Sequence, residues 1–188
     1  MRQGRQTRTR ASDFSVRDAD GERVIEGYFA VFDGTYQLWP GATESVDEHA
    51  FDDCLQDDVR ALIDHETRLV LGRTVAGTLT LRVDAHGLWG RIVINPDDAD
   101  AMNLYARVKR GDVSQCSFGF DILDEERSIE ESTGDVHWTI KKVKLYEVSC
   151  VTFPAYQTTE IAARKEEAEE MKRRQVEAWR AKQKARLM

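Results

Sequence analysis

The sequence predicts an α+β fold that is mainly β: a partly closed antiparallel β-barrel with flanking helices and a long polar helix at its carboxyl end. Three observations carry this. Short runs rich in β-branched and aromatic residues recur along the chain and are closed by turn dipeptides. Helical spacing interrupts them at two places, and beyond Pro154 the composition changes to a charged stretch without Gly or Pro. With 188 residues and 41% hydrophobic content, the chain can bury one sizeable core, so the body is expected to form a single domain.

The elements follow in order. From Val24, VIEGYFAVFDG reads as a strand ended by Asp33-Gly34. DEHAFDDCLQD sets Ala50, Phe51, Cys54 and Leu55 at helical spacing behind Asp47, which predicts a short helix. VRALIDHE alternates Val59, Ala61, Ile63 and His65 on one strand face. RLVLGRTVAGTLTLRV continues as β structure to the turn DAHG, and LWGRIVI returns as the second arm of that hairpin. Asn95 is placed to cap a second helix, with Pro96 at its first position, Gly111 beyond its end, and Ala101, Leu104, Tyr105 and Val108 as its buried stripe. SQCSFGFDIL and HWTIKKVKLYEVSCVTF form the last strand pair, joined by an acidic connection at 124–135. The tail pairs Glu with Arg four residues on at 160/164, 169/173 and 170/174 and has no sustained apolar stripe. It is expected as a solvated or partner-binding helix that does not pack closely on the body. The organisation is thus a basic arm over 1–12, a body over 13–159 and a helical tail over 160–188.

Charge and cysteine usage narrow the function classes. Residues 1–12 hold four arginines and no acid, and residues 160–188 hold nine basic and six acidic groups, so of the net −7 the body carries −14. An acidic body argues against nucleic acid as its partner, because phosphate binding relies on Lys and Arg. Three cysteines, Cys54, Cys116 and Cys150, follow no metal-ligand spacing, and MRQGRQTRTRAS lacks the apolar centre of a signal peptide. A reduced, cytosolic protein is expected. No apolar run approaches the roughly 20 residues that cross a bilayer, so no membrane partner is expected.

Strand alternation in SQCSFGF groups Cys116, Phe118, Phe120 and Ile122 on the core side and leaves Ser117, Gly119 and Asp121 on a less crowded face. Among the histidines, His49, His86 and His137 read as surface residues. His65, after Ile63 and between Asp64 and Glu66, stands where either a structural or a catalytic imidazole could. Glu147 lies in LYEVSCVTFPA on a strand face with Leu145, Ser149 and Val151, and a buried carboxylate needs a partner. That partner could be a strand arginine such as Arg73 or Arg82, or an imidazole whose tautomer it holds so that the other nitrogen accepts a serine proton. Asp64 and Asp121 are the alternatives to Glu147. Zinc is disfavoured, since neither HExxH nor CxxC occurs, and no cofactor is expected.

The ordered set GYFAVFD, PGA, LIDHETRLVLGRT, DAHGLWGRIVI, VKRGDVSQCSFGF and LYEVSCVTFPAYQTTEI resembles the prohead protease family of tailed bacteriophages, capsid maturation serine peptidases related in fold to herpesvirus assemblin. The resemblance runs from about Val24 to Ile161. It implies a herpesvirus protease-like barrel, with the family's histidine at His65 in IDHE, its nucleophile at Ser117 in SFGF and its acidic residue at Glu147 in EVS. One departure is Tyr156, where the family pattern carries asparagine after proline-alanine. The turn near Pro154 to Thr158 is the expected oxyanion hole by analogy with the herpesvirus enzymes. The resemblance further implies the major capsid protein and scaffold protein as substrates, self-cleavage, a homodimer by analogy with the herpesvirus enzymes, and action inside the assembling procapsid in a bacterial cytoplasm. Two rivals remain: a non-catalytic scaffold or accessory module, and a hydrolase using Cys116 or Cys150.

Overall fold

The computed structural model describes residues 6–11, 14–19, 21–153 and 158–186. The strands are β1 Gln6–Ala11, β2 Ser15–Ala19, β3 Glu22–Val31, β4 Tyr36–Trp39, β5 Ala42–Val46, β6 Arg60–Ile63, β7 Glu66–Arg73, β8 Leu79–Val83, β9 Gly87–Ile94, β10 Gln115–Ile129 and β11 Val136–Val151. The described residues also include two α-helices, α1 Ala99–Arg110 and α2 Thr158–Arg186. One sheet has 7 strands in the path β1-β10-β11-β5-β4, with β6 on β11 and β7 on β6, and the other has 4 in the order β2-β3-β9-β8.

A mainly β chain with helices at its flanks is as the sequence predicts, but the sheet differs from the expected antiparallel barrel. The ladders among the described residues form two sheets rather than one closing ring, and two of those ladders are parallel. The reason is the length of β11. Its 16 residues give β10 one edge and leave the other long enough for two successive partners, β5 opposite residues 136–140 and β6 opposite residues 147–150.

Residues between those two partners bridge the gap along β11, and this is where the expected first helix falls. It is a run of turns instead: the amides of Ala50, Asp52, Cys54 and Asp57 each bond the carbonyl three residues back. A helix is pre-empted because the Ala50 carbonyl accepts from the Val143 amide and the Asp47 amide donates to Ile140. Ala50, Phe51 and Cys54 are nevertheless buried, as their spacing predicts. The core between the sheets joins Ile25 and Phe29 of β3 to Cys116, Phe118 and Phe120 of β10, with Phe51 set edge-on against Phe118 at 5.6 Å.

Helix α1 buries the predicted stripe, Ala101, Leu104, Tyr105 and Val108, and ends at Gly111 with φ 87°, a left-handed cap. Its cap is Asp98 rather than Asn95: Asp98 Oδ1 accepts from the amides of Asp100 and Ala101, while Asn95 closes a separate turn around Pro96.

The tail helix also departs from expectation. Ala168 is buried in a second, smaller cluster with Ala42, Val136 and Trp138, and Met171 packs against it. Arg127 reaches Glu167 at 2.6 Å. Two apolar residues one turn apart are enough to dock one segment of an otherwise polar helix. Truncation after Phe153 is therefore expected to lower the melting temperature by about 5 °C. A melting curve matching that of the full chain would show that the contact contributes nothing.

Candidate active site

Strands β10, β11 and β6 lie side by side, and their register sets one row of side chains. Ser117 is opposite Ser149, which is opposite Leu62; Gly119 is opposite Glu147, which is opposite Arg60. Directly paired and i, i+2 residues share a sheet face, so Ser117, Ser149 and Glu147 stand together. Glu147 Oε1 lies 2.7 Å from His65 Nδ1, and Oε2 accepts from Ser149 Oγ at 2.5 Å. Glu147 and Ser149 are 0% exposed, whereas the His65 side chain retains 24% of its surface. Since an ionised carboxylate only accepts, His65 Nδ1 carries the donated proton and Nε2 is left as the basic nitrogen. That Nε2 is buried and has no hydrogen-bond partner among the described residues.

The backbone that delivers His65 is a two-residue hairpin turn, not the strand end that alternation suggests. β6 stops at Ile63, which pairs with Glu66, and Asp64 and His65 take φ of 49° and 63°. A two-residue hairpin needs positive φ at both central positions, and Asp and His are among the non-glycine residues that adopt it. Asp64 is held by the far end of β11: its amide donates to the Cys150 carbonyl, and its Oδ1 accepts the Thr152 amide at 2.7 Å. Asp64 thus anchors the turn. Asp121, the other alternative, accepts from Tyr146 at 2.6 Å. Of the two arginines weighed as partners for Glu147, Arg73 binds Asp58 and Arg82 stacks on Trp89.

Ser117 is placed on the predicted side of β10 but is not open. It is 0% exposed, because residues 6–11 of the expected arm form β1 and pair along β10, Thr9 opposite Ser117 and Arg8 opposite Phe118. Ser117 Oγ donates to the Arg8 carbonyl at 2.8 Å. The Arg8 side chain in turn meets Glu44 of β5, which is 0% exposed.

Sequence reasoning missed Ser149, Glu44 and Arg8. Ser149 had a signal, two residues beyond Glu147 on the same face; Arg8 and Glu44 lie 36 residues apart with none. Cys116 and Cys150 are in the core; Cys116 donates to the Tyr28 carbonyl, and burial pushes the Cys150 thiol pKa up and that of Cys54 up to about 11. His137, expected at the surface, is part-buried between Thr43 Oγ1 at 2.8 Å and Ser45 Oγ at 2.9 Å. Residues 154–157, most of the expected oxyanion turn, lie outside the described residues.

Two packed sheets carrying an imidazole on a buried carboxylate, with serines across the neighbouring strands, present the functional groups that serine peptidases use. The chain belongs to the caudovirus prohead serine protease family, whose profile matches residues 8–174. The prohead protease of Enterobacteria phage HK97 is 30% identical over 155 residues, 78% of this chain and 62% of that protein. The chain thus spans about three-fifths of that relative's length. Among solved structures, the bacteriophage T4 capsid assembly protease, gp21, shares the fold with a TM-score of 0.53 at 12% identity, over 80% of this chain and 98% of that one. No helix among the described residues is long and apolar enough to cross a membrane.

Proposed function

We propose that the chain is a serine endopeptidase of phage capsid maturation, with Ser117 as nucleophile, His65 as general base and then acid, and Glu147 holding the imidazole. Its substrates are scaffold protein or the scaffold-like amino-terminal segment of the major capsid protein, together with the chain itself, inside the assembling procapsid in the host cytoplasm. The supporting observation is the pairing of His65 Nδ1 with a fully buried Glu147, which leaves a buried Nε2 free to accept a proton, on the sheet face that carries Ser117. In the reaction Nε2 takes the Ser117 proton as Oγ attacks a peptide carbonyl, and gives it to the departing amine. Glu147 balances the imidazolium formed between those steps.

A fluorophosphonate probe tests this on the folded full chain. Edge strands open locally, so label should accumulate with time despite β1. Peptide mapping is expected to find it on Ser117, and His65→Ala to abolish it. Alkylation of the native protein with iodoacetamide should leave turnover unchanged, since Cys54 with its pKa pushed up to about 11 and the buried Cys150 are not thiolates at neutral pH. A chain that takes no label and leaves purified scaffold and capsid protein intact would instead be an accessory module.

A further inference from the structure

We propose that the edge of β10 covered by β1 is the substrate-strand site, and that Glu44 selects for it a peptide carrying an arginine at the residue whose carbonyl reaches Ser117. The proposal rests on the serine-peptidase reading above, and it makes Arg8–Thr9 the bond the chain cuts in itself. One residue carries both halves of the argument. The Arg8 carbonyl accepts from Ser117 Oγ at 2.8 Å, and the Arg8 guanidinium is forked onto Glu44, Nε to Oε1 and Nη2 to Oε2, the latter at 2.9 Å. The guanidinium also sits 5.6 Å from the Phe120 ring centre.

A clamp that merely fastened β1 to the sheet could use any residue of the strand; here the fastened residue is the one whose carbonyl meets the nucleophile. An extended peptide added to a sheet edge gains its backbone hydrogen bonds whatever its sequence, and pockets for particular side chains then supply the choice. Glu44 is 0% exposed and Arg8 7%, so the pair is out of water. When β1 leaves, Glu44 loses the guanidinium that balances its charge, and the guanidinium of an incoming strand restores that balance. Arginine fits this better than lysine, because its planar fork matches both carboxylate oxygens.

The chemistry closes on groups already present. Ser117 Oγ bonds to the Arg8 carbonyl carbon as His65 Nε2 takes the hydroxyl proton; the bond to the Thr9 nitrogen breaks and that amine receives the proton. Water then releases Arg8 as a carboxylate and restores Ser117. In the structure the hydroxyl lies on the carbonyl oxygen and Nε2 has no partner among the described residues, so β1 occupies the groove in a resting pose from which the hydroxyl must swing to Nε2 before attack.

The test uses the unaltered full chain. Amino-terminal sequencing over time is expected to find a new terminus at Thr9. A peptide of residues 4–11 is expected to be cut at the same bond, and its copy with citrulline at the Arg8 position, equal in shape but uncharged, to have a kcat/KM at least about 100-fold lower. Glu44→Gln should shrink that ratio below about fivefold. Equal turnover of the two peptides, or cutting elsewhere while casein is hydrolysed in a Ser117-dependent way, overturns the assignment of Glu44 and leaves the peptidase reading standing. If neither casein nor peptide is cut by the chain, both fail. Because the peptides are compared on the unaltered protein, a Glu44→Gln chain that failed to fold would not rescue the idea.

Discussion

Ser117→Ala is expected to lose all cleavage of scaffold and of the chain itself, a fall of at least about 1000-fold, while the protein stays folded. The substitution removes one oxygen from a fully buried position and with it the hydrogen bond to the Arg8 carbonyl, a cost of about 1 kcal/mol. Gel and mass-spectrometric time courses beside thermal melts would separate the two effects. Cys116→Ser, one residue away, should keep activity within a few-fold, because its side chain faces the core and bonds the Tyr28 carbonyl rather than the histidine. Normal cleavage by Ser117→Ala, or a folded but dead Cys116→Ser, would move the nucleophile to another residue.

Glu147→Gln comes next in size, with kcat lowered about 100- to 10,000-fold and KM altered less than about threefold. The amide keeps the shape and can still accept from His65 Nδ1, so the tautomer and the sheet survive. Lost is the negative charge that faces the imidazolium while the serine proton is in transit. Ser149→Ala is the informative companion. It removes the Ser149 hydrogen bond to Glu147 Oε2 without touching the charge, and should cost about tenfold or less through looser positioning. If Glu147→Gln lowers KM and kcat no more than Ser149→Ala does, the carboxylate is a structural group. The imidazole would then be working without an ionic partner.

Much of this was legible where a periodicity or a cap governs locally. The alternation of Cys116, Phe118, Phe120 and Ile122 gave the core side of β10, and the stripe of α1 was readable down to its four buried residues. His65 and Glu147 were legible as individuals, one as an imidazole amid acids and the other as a carboxylate on an apolar face. Three things were not. The turn run after Asp47 has helical spacing, but its Ala50 carbonyl is taken by a strand 93 residues later, and no local pattern reports such a competitor. The hairpin at Asp64-His65 lacks the glycine or asparagine that marks such turns, so the strand was read two residues too long. The arm was legible only as a basic segment, because none of its four arginines hints that a buried carboxylate 36 residues beyond Arg8 will claim that one.

The turn that carries His65 sets durability against chemistry. A side chain held at φ 63° costs roughly 1 kcal/mol relative to glycine, and the carboxylate it faces gives up its hydration to stay in a dry sheet. Glycine at position 65 together with an apolar residue at position 147 relieves both at once, and replacing a buried polar pair by well-packed hydrophobic groups is often stabilising by about 1–4 kcal/mol. Mutants enriched only for heat resistance would therefore drift toward a sturdier sheet with no imidazole in it. Anyone shaping this scaffold for endurance has to screen for cleavage in the same round, because the melting curve alone rewards the loss of the histidine.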